Sequence, residues 1–306
     1  SFKEVIDNSM GHTSAASMGS DMADINNDGL LDIFTTDMLP EDDYRLKTTT
    51  TFENYDVYNA KLKNDFHHQF TSNCLQLNNG DGTFSEIAAL GGLEATDWSW
   101  GALSFDFDND GWKDIFVCNG ISKDLTDQDF LAFFGSDEQK QFVLKDGFNF
   151  KRFLDKMPAT ALRNYGFLNQ HTLRFRNAST ELGFTEPSFS NGAAYADLDG
   201  DGDLDLVVNN ENQEAFVFRN MSSEKTKNGY LQIRLNGTAP NTFGYGARVT
   251  IYTNGMQQVA EQMPGRGFES SVDPVLHFGT GSYHMIDSLV VRWPDNAMQI
   301  LKNVRG

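Results

Sequence analysis

Three stretches of the chain place acidic side chains at alternate positions: Asp24-Ile-Asn26-Asn-Asp28-Gly29-Leu30-Leu-Asp32, Asp106-Phe-Asp108-Asn-Asp110-Gly111-Trp112-Lys-Asp114 and Asp197-Leu-Asp199-Gly-Asp201-Gly202-Asp203-Leu-Asp205. A hard divalent cation takes ~6–8 oxygen ligands, and alternate carboxylates converge on one point only where a glycine lets the chain curve tightly. Positions one, three, five and nine supply side-chain oxygens, and position seven supplies the backbone carbonyl of Leu30, Trp112 or Asp203. No histidine or cysteine stands in any loop, which disfavours zinc and copper. Ligand number and loop flexibility put calcium ahead of magnesium, with about three Ca2+ expected, one per loop.

An EF-hand begins with the same signature but needs a glutamate at position twelve between two helices. Those positions hold Thr35, Val117 and Val208, and an apolar, strand-like stretch leaves each loop. The expectation is therefore a β-hairpin loop closed by the Asp at position nine. The alternative, three solvated Asp-rich turns without metal, leaves the clustered charges unneutralised.

Aligning the loops also aligns what precedes them. Five residues before each first Asp stands a glycine (Gly19, Gly101, Gly192), and twenty-two before it a phenylalanine (Phe2, Phe84, Phe175). After each last Asp comes an apolar pair, Ile33-Phe34, Ile115-Phe116 or Leu206-Val207. Such self-similarity marks a repeat architecture, with cores at 2–37, 84–119 and 175–210. Stretches such as Asp114-Ile-Phe-Val-Cys-Asn, bounded by Gly and Asn, predict short strands, so each unit reads as a small antiparallel sheet. Segments 41–70 and 121–166 carry mixed helical spacing, as in Asp127-Gln-Asp-Phe-Leu-Ala-Phe-Phe and Gln139-Lys-Gln-Phe-Val-Leu, and are expected to be partly helical insertions on one face. From about 228 the pattern changes to alternating strands such as Tyr230-Leu-Gln-Ile-Arg-Leu and Ser288-Leu-Val-Val-Arg-Trp, a second, all-β domain after a linker at Asn220 to Asn228.

The 43 acidic against 24 basic residues give a formal net charge of -19, which argues against nucleic acid or an anionic membrane surface as partner and favours cations. No run of about 18 apolar residues occurs, so no transmembrane segment is expected. Residues 1 to 20 lack the basic-then-apolar order of a signal peptide, which is the expectation for a removed leader or a piece of a longer polypeptide. Cys74 and Cys118 sit in apolar stretches without a second pair to complete a zinc site. Buried free thiols and a disulfide between them both remain open.

These residues resemble known families. Each unit is similar to the FG-GAP or VCBS repeat, the blade of integrin-α-type β-propellers, with Asn78-Asn-Gly-Asp-Gly-Thr-Phe84 as that family's hairpin before the second unit. The tail resembles the ASPIC/UnbV domain in Gly244-Tyr-Gly-Ala-Arg-Val249, Gly265-Arg-Gly-Phe-Glu-Ser270, His277-Phe-Gly-Thr-Gly281 and Arg292-Trp-Pro-Asp295, with Thr280 and Asn296 in place of the commoner Leu and Gly. The implied fold is mainly β: a partial or fragmentary β-propeller over 1–219, helical insertions at about 41–70 and 121–166, then a small all-β domain over 228–306. Ala215-Phe-Val-Phe-Arg is a candidate opening for a fourth blade. The resemblance further implies calcium at the aligned Asp and Asn positions, an extracellular or outer-cell-surface location, and no known reaction. The insertions and Thr96-Asp-Trp-Ser-Trp-Gly101 are most similar to bacterial surface versions, often lipoproteins of the Bacteroidota. Closed propellers have about four to eight blades, so three repeats predict either further blades in a longer chain or a partner over the open edge.

No Gly-x-Ser-x-Gly, His-Glu-x-x-His, Walker or Rossmann pattern is present, so no catalytic residue is assigned. His67-His68 are adjacent, do not face one site and are expected to be exposed. Trp293-Pro-Asp295 reads as a turn, and Gly265-Arg-Gly267 as a tight turn or an anion cradle. Trp98, Trp100, Trp112 and Tyr195 either stack on sugar rings or pack between blades. The leading function is a calcium-stabilised extracellular adhesion or recognition module for a protein or glycan. A structural subunit of a cell-surface assembly and a carbohydrate-active enzyme on a propeller are the alternatives.

Overall fold

A computed structural model describes residues 2–51, 54–136 and 150–305; the expected helical stretch Gln139 to Leu144 lies outside them. The chain is mainly β, and its first part is a partial propeller of three antiparallel sheets. Blade one runs Ser20–Ala23, Asp32–Thr35, Cys74–Asn78, Phe84–Glu86. Blade two runs Asp97–Phe105, Asp114–Asn119, Tyr165–Asn169, Phe175–Asn177, with the short strand Met38–Leu39 added beside its first strand. Blade three runs Ser190–Ala196, Asp205–Asn210, Phe216–Phe218. In every blade the acidic loop is the turn between the first and second strands, whereas the insertions of blades one and two join the second strand to the third. Successive turns of an antiparallel meander lie at opposite ends of the sheet. The loops and the insertions therefore occupy opposite faces of the arc.

Two expectations need correction. The repeat unit is not one sheet: Phe84 and Phe175 lie in the fourth strands of blades one and two, so each unit at 84–119 and 175–210 begins in one blade and ends in the next. Phe216–Phe218 pairs with Asp205–Asn210 and is the third strand of blade three, not the opening of a fourth. Phase is invisible in a periodic sequence because it depends on which neighbours pair.

The repeated glycines let the first strands of neighbouring blades lie side by side. A side chain at Gly19 would collide with the Trp100 carbonyl, and a Cβ at Gly101 would stand 2.8 Å from the Asn191 carbonyl oxygen. Outside that line, apolar side chains fill the spaces between blades. Phe34, Leu75, Leu93, Ile115, Val117 and Phe167 pack between blades one and two, and Leu103, Phe116, Cys118, Phe184, Leu206 and Val208 between two and three. Both cysteines are buried free thiols.

The insertions contain capped helices where hydrophobic spacing suggested them. Asp42 accepts from the Arg45 N–H at 2.9 Å to start Asp43–Thr49, and Asp127 accepts from the Phe130 N–H at 2.7 Å to start Gln128–Phe134. Arg45 then ties the first insertion to the second through Asp124, at 3.1 Å, and to the first strand of blade two through Asp97.

The second domain pairs Gly229–Arg234 with Val275–Gly281 and carries a four-stranded sheet in the order Met256–Glu261, Arg248–Thr253, Met285–Arg292, Met298–Arg305. Val249, Ile251, Phe278, Ile286 and Leu289 form its core. From it a small hairpin, Gly265–Arg266 with Ser270–Ser271, reaches the first strands of all three blades. Gly267 and Ser20 exchange backbone hydrogen bonds at 3.0 and 3.2 Å, Phe268 packs on Trp100 at 4.9 Å, and Phe268 and Ser270 border Gly192. Arg266 forms a buried ion pair with Asp21 at 2.7 Å. Gly265-Arg266 is thus a strand rather than the expected tight turn, which falls at Phe268-Glu269, and the hairpin lies against the inner strands of the arc.

Candidate metal centres

The three loops share a hydrogen-bond pattern that their spacing dictates, except that the first Asp of loop three takes the N–H of position four in place of position five. The first Asp curls over its own loop: Asp24 accepts from the Asp28 and Gly29 N–H groups at 3.1 and 2.9 Å, and Asp106 from Asp110 and Gly111 at 3.1 and 2.8 Å. Asp197 accepts from Gly200 and Gly202 at 2.8 and 3.1 Å. The fifth-position Asp28, Asp110 and Asp201 each accept from the N–H of position seven, namely Leu30, Trp112 and Asp203, at 2.7–2.9 Å. The loop glycines Gly29, Gly111 and Gly202 have φ of 89°, 95° and 91°, a left-handed turn that a side chain strains.

The ninth-position Asp closes each loop. Asp32, Asp114 and Asp205 each accept the N–H of position two through one oxygen, at 2.9–3.0 Å, and that of a distant asparagine through the other, at 2.8 Å. The loop-closing role of those asparagines, Asn78, Asn169 and Asn220, was not read from the sequence. Each follows or ends the third strand of its blade and donates its side-chain amide to the position-eight carbonyl of Leu31, Lys113 or Leu204. Asn169 and Asn220 also reach back to Ile25 and Phe107 in the preceding loop, at 2.8 and 2.6 Å. Position four was missed as well. Asn27 donates to the Gly111 carbonyl at 3.1 Å and Asn109 to the Gly202 carbonyl at 3.3 Å. Consecutive loops are therefore tied in both directions.

This folding brings the acids of positions one, three and nine together in loops two and three. Asp106, Asp108 and Asp114 each present an oxygen within 4.8 Å of the other two, and so do Asp197, Asp199 and Asp205. In the first loop Asn26 replaces the third-position acid, and its amide donates to Asp28 at 2.9 Å. The two clusters are all oxygen and suit a hard divalent cation. Their electrostatics agree. Burial pushes the carboxyls of Asp24 and Asp32 up to about 6 and that of Asp106 up to about 7, with neighbouring loop carboxylates adding to the shift. Asp108 and Asp114 are raised for the same reason. A cation at the centre removes that penalty. Loop three is different, because Arg219 binds Asp199 at 2.7 Å and Asp201 at 3.3 Å and holds the Asp199 carboxyl below its ordinary value.

The second domain sits on these loops, a placement no local motif announced. On loop one, Arg248 donates to the Gly29 carbonyl, and Met256 lies against Asn27. On loop two, His277 Nε2 meets Asn109 Oδ1 at 2.6 Å, and the Gly281 N–H donates to the Asn109 carbonyl at 2.8 Å. A side chain at Gly279 would strike Asp106. On loop three, Gln232 donates to Asp197 at 2.8 Å and Tyr230 covers Gly202. The His277-Phe-Gly-Thr-Gly281 motif is thus a seat for loop two.

The remaining candidates resolve individually. Trp100 donates to the Gly120 carbonyl at 2.6 Å, and Tyr195 stacks on Phe105 at 4.5 Å, so both pack within the propeller. Trp112 stacks on His171 at 4.6 Å, and His171 contacts Asp110 at 2.8 Å. Of the histidine pair, His68 is exposed as expected, whereas the His67 ring is largely covered and meets Asp7 at 2.8 Å. Trp293 closes a turn through Gln299 at 3.0 Å.

Comparison with known proteins agrees with this architecture. Residues 237–306 match the ASPIC and UnbV family, and residues 56–117 match the FG-GAP-like repeat. Cartilage acidic protein 1 of Xenopus tropicalis is 27% identical over 255 residues, 73% of this chain and 38% of that protein. Its counterpart in Homo sapiens is 32% identical over 117 residues, 37% of this chain and 17% of that protein. The chain spans well under half the length of these relatives.

Proposed function

From a chain that joins FG-GAP-like repeats to an ASPIC and UnbV domain, we propose a calcium-binding recognition or adhesion module that works outside the cell and binds a protein or glycan. The observation that carries this reading is the convergence of carboxylate oxygens from positions one, three and nine in the second and third loops. Asp24, Asn26, Asp28 and Asp32, then Asp106, Asp108, Asp110 and Asp114, then Asp197, Asp199, Asp201 and Asp205 would hold the ions, with the carbonyls of Leu30, Trp112 and Asp203. Calcium would neutralise the buried carboxylates and stiffen the floor on which the second domain rests. Its role is structural, and no reaction is assigned to it.

The same topology leaves the opposite, insertion-bearing face for a partner. Tyr44, Tyr55 and Phe66 are exposed there, and aromatic side chains of this kind are enriched at recognition surfaces. Among the described residues no helix is long and apolar enough to cross a membrane. Elemental analysis of the purified chain tests the calcium reading: about three calcium per chain supports it, and calcium-free protein with an unchanged melt in chelator refutes it. A Tyr44→Ala/Tyr55→Ala variant that keeps its calcium should lose binding to glycan arrays or to candidate surface proteins. Unimpaired binding would move the partner site off this face.

A further inference from the structure

Away from the acidic loops, a second kind of donor cluster lies where the N-terminal segment meets blade one. Met10 bridges Phe84 in parallel register, which lays Gly11 and His12 beside the fourth strand of the blade. The Gln76 side chain then fixes the His12 carbonyl at 2.8 Å, and Phe70 meets the His12 ring edge-on at 5.2 Å. Cys74 and Gln76 share one face of the third strand because they are two residues apart. Glu86 lies on the same side, directly across from Gln76 in the fourth strand.

We propose that His12, Cys74 and Glu86 form a transition-metal site of the zinc class, separate from the calcium loops. Each of the three offers one ligand atom, and these atoms lie within 4.8 Å of one another. His12 Nε2 and Glu86 Oε2 are 3.5 Å apart, long for a charge-assisted hydrogen bond. It is also the edge of a tetrahedron with metal–ligand bonds of about 2.1 Å. Glu86 is held in place by its other oxygen, which accepts the Leu75 and Ala88 N–H groups at 3.0 and 2.7 Å. Such outer-shell bonds orient a ligating carboxylate. Gln76 supplies an independent sign. It is 3% exposed, and its Oε1 is buried without a hydrogen-bond partner on the same strand face. A metal, or a water held by a metal, would satisfy that oxygen. Mixed nitrogen, sulfur and oxygen donors favour zinc over calcium, so the two sites select different ions. His12 is 30% exposed and leaves a way in for the ion.

Metal-stripped protein, first saturated with calcium to fill the acidic loops, would be titrated with Zn2+ and separately with Co2+. One equivalent of zinc should bind beyond the calcium complement. The cobalt form should show a thiolate-to-metal charge-transfer band that disappears in Cys74→Ser and persists in Cys118→Ser. His12→Ala, a change at a partly exposed side chain, should keep its calcium and its melt but bind zinc at least about 100-fold more weakly. Cobalt bound without a thiolate band, a band that survives Cys74→Ser, equal zinc affinity in His12→Ala, or no binding would each overturn the assignment.

Discussion

Loops two and three have the same backbone and opposite surroundings. Loop two is roofed by His277 and Gly279, and Asp106 and Asp114 are 1% and 3% exposed. Its nearest buried cation, Lys113, lies over the Phe278 ring at 5.8 Å and is itself driven toward neutrality by burial. Loop three opens to solvent at Asp199, and Arg219 already spans two of its carboxylates. The same motif is therefore short of positive charge in one blade and supplied with it in another. An Asp-rich pattern specifies the geometry of a site; burial and stray cations decide how much the ion contributes.

Substitutions at the first Asp of each loop should separate the two most widely. In saturating calcium, Asp106→Ala loses its ion, leaves the Gly111 N–H without an acceptor and leaves the Asp110 N–H only Asp108, costing ~2–4 kcal/mol. Asp197→Ala should cost about half as much, and equal losses in denaturant titrations would show that the roof over loop two is irrelevant. Next in size is the pH response. Asp24 and Asp32, raised to about 6, and Asp106, raised to about 7, bind protons more tightly in the folded than in the unfolded chain. Without metal, stability is gained as pH falls through about 7 toward about 4 and is lost as pH rises through 7. Metal-free protein should thus melt higher at about pH 5.5 than at about pH 7.5, and calcium, which needs the ionised carboxylates, should reverse that order. A metal-free melt independent of pH would contradict the burial argument.

A smaller effect is expected at the roof. Gly279→Ala forces Asp106 and the second domain apart at a cost of ~1–3 kcal/mol. Limited proteolysis should then cut faster between the domains, near Lys225 and Lys227, and unaltered cleavage would mean that the docking is loose already. The smallest change is at loop three itself: Arg219→Gln frees Asp199 and Asp201, and calcium affinity there should rise several-fold while loop two is unaffected.

The loops were legible in the sequence because every donor, the glycine and the closing Asp sit within nine consecutive residues. Chain-local geometry is what spacing encodes. The helical character of 41–70 and 121–166 was readable from local spacing, but the capping roles of Asp42 and Asp127 were not read. Asn78, Asn169 and Asn220 do an equivalent job in all three blades, yet that role escaped notice, since connections of unequal length separate them from their loops. The blade boundaries escaped too, because periodicity fixes the repeat and not the partner strand. The tail motifs could be matched to a family, but their role could not be seen. Arg266, His277 and Gly279 acquire meaning only against Asp21, Asn109 and Asp106, residues far away in the chain.

Calcium titration of metal-stripped protein at neutral pH, followed by heat of binding and by melting temperature, decides whether the three loops hold ions. Near three equivalents should bind, with the ion of loop two held more tightly than that of loop three and lost in Asp110→Ala, and the melt should climb as the sites fill. Absence of heat and an unchanged melting temperature would mean that the three loops are bare acidic turns held by their own hydrogen bonds.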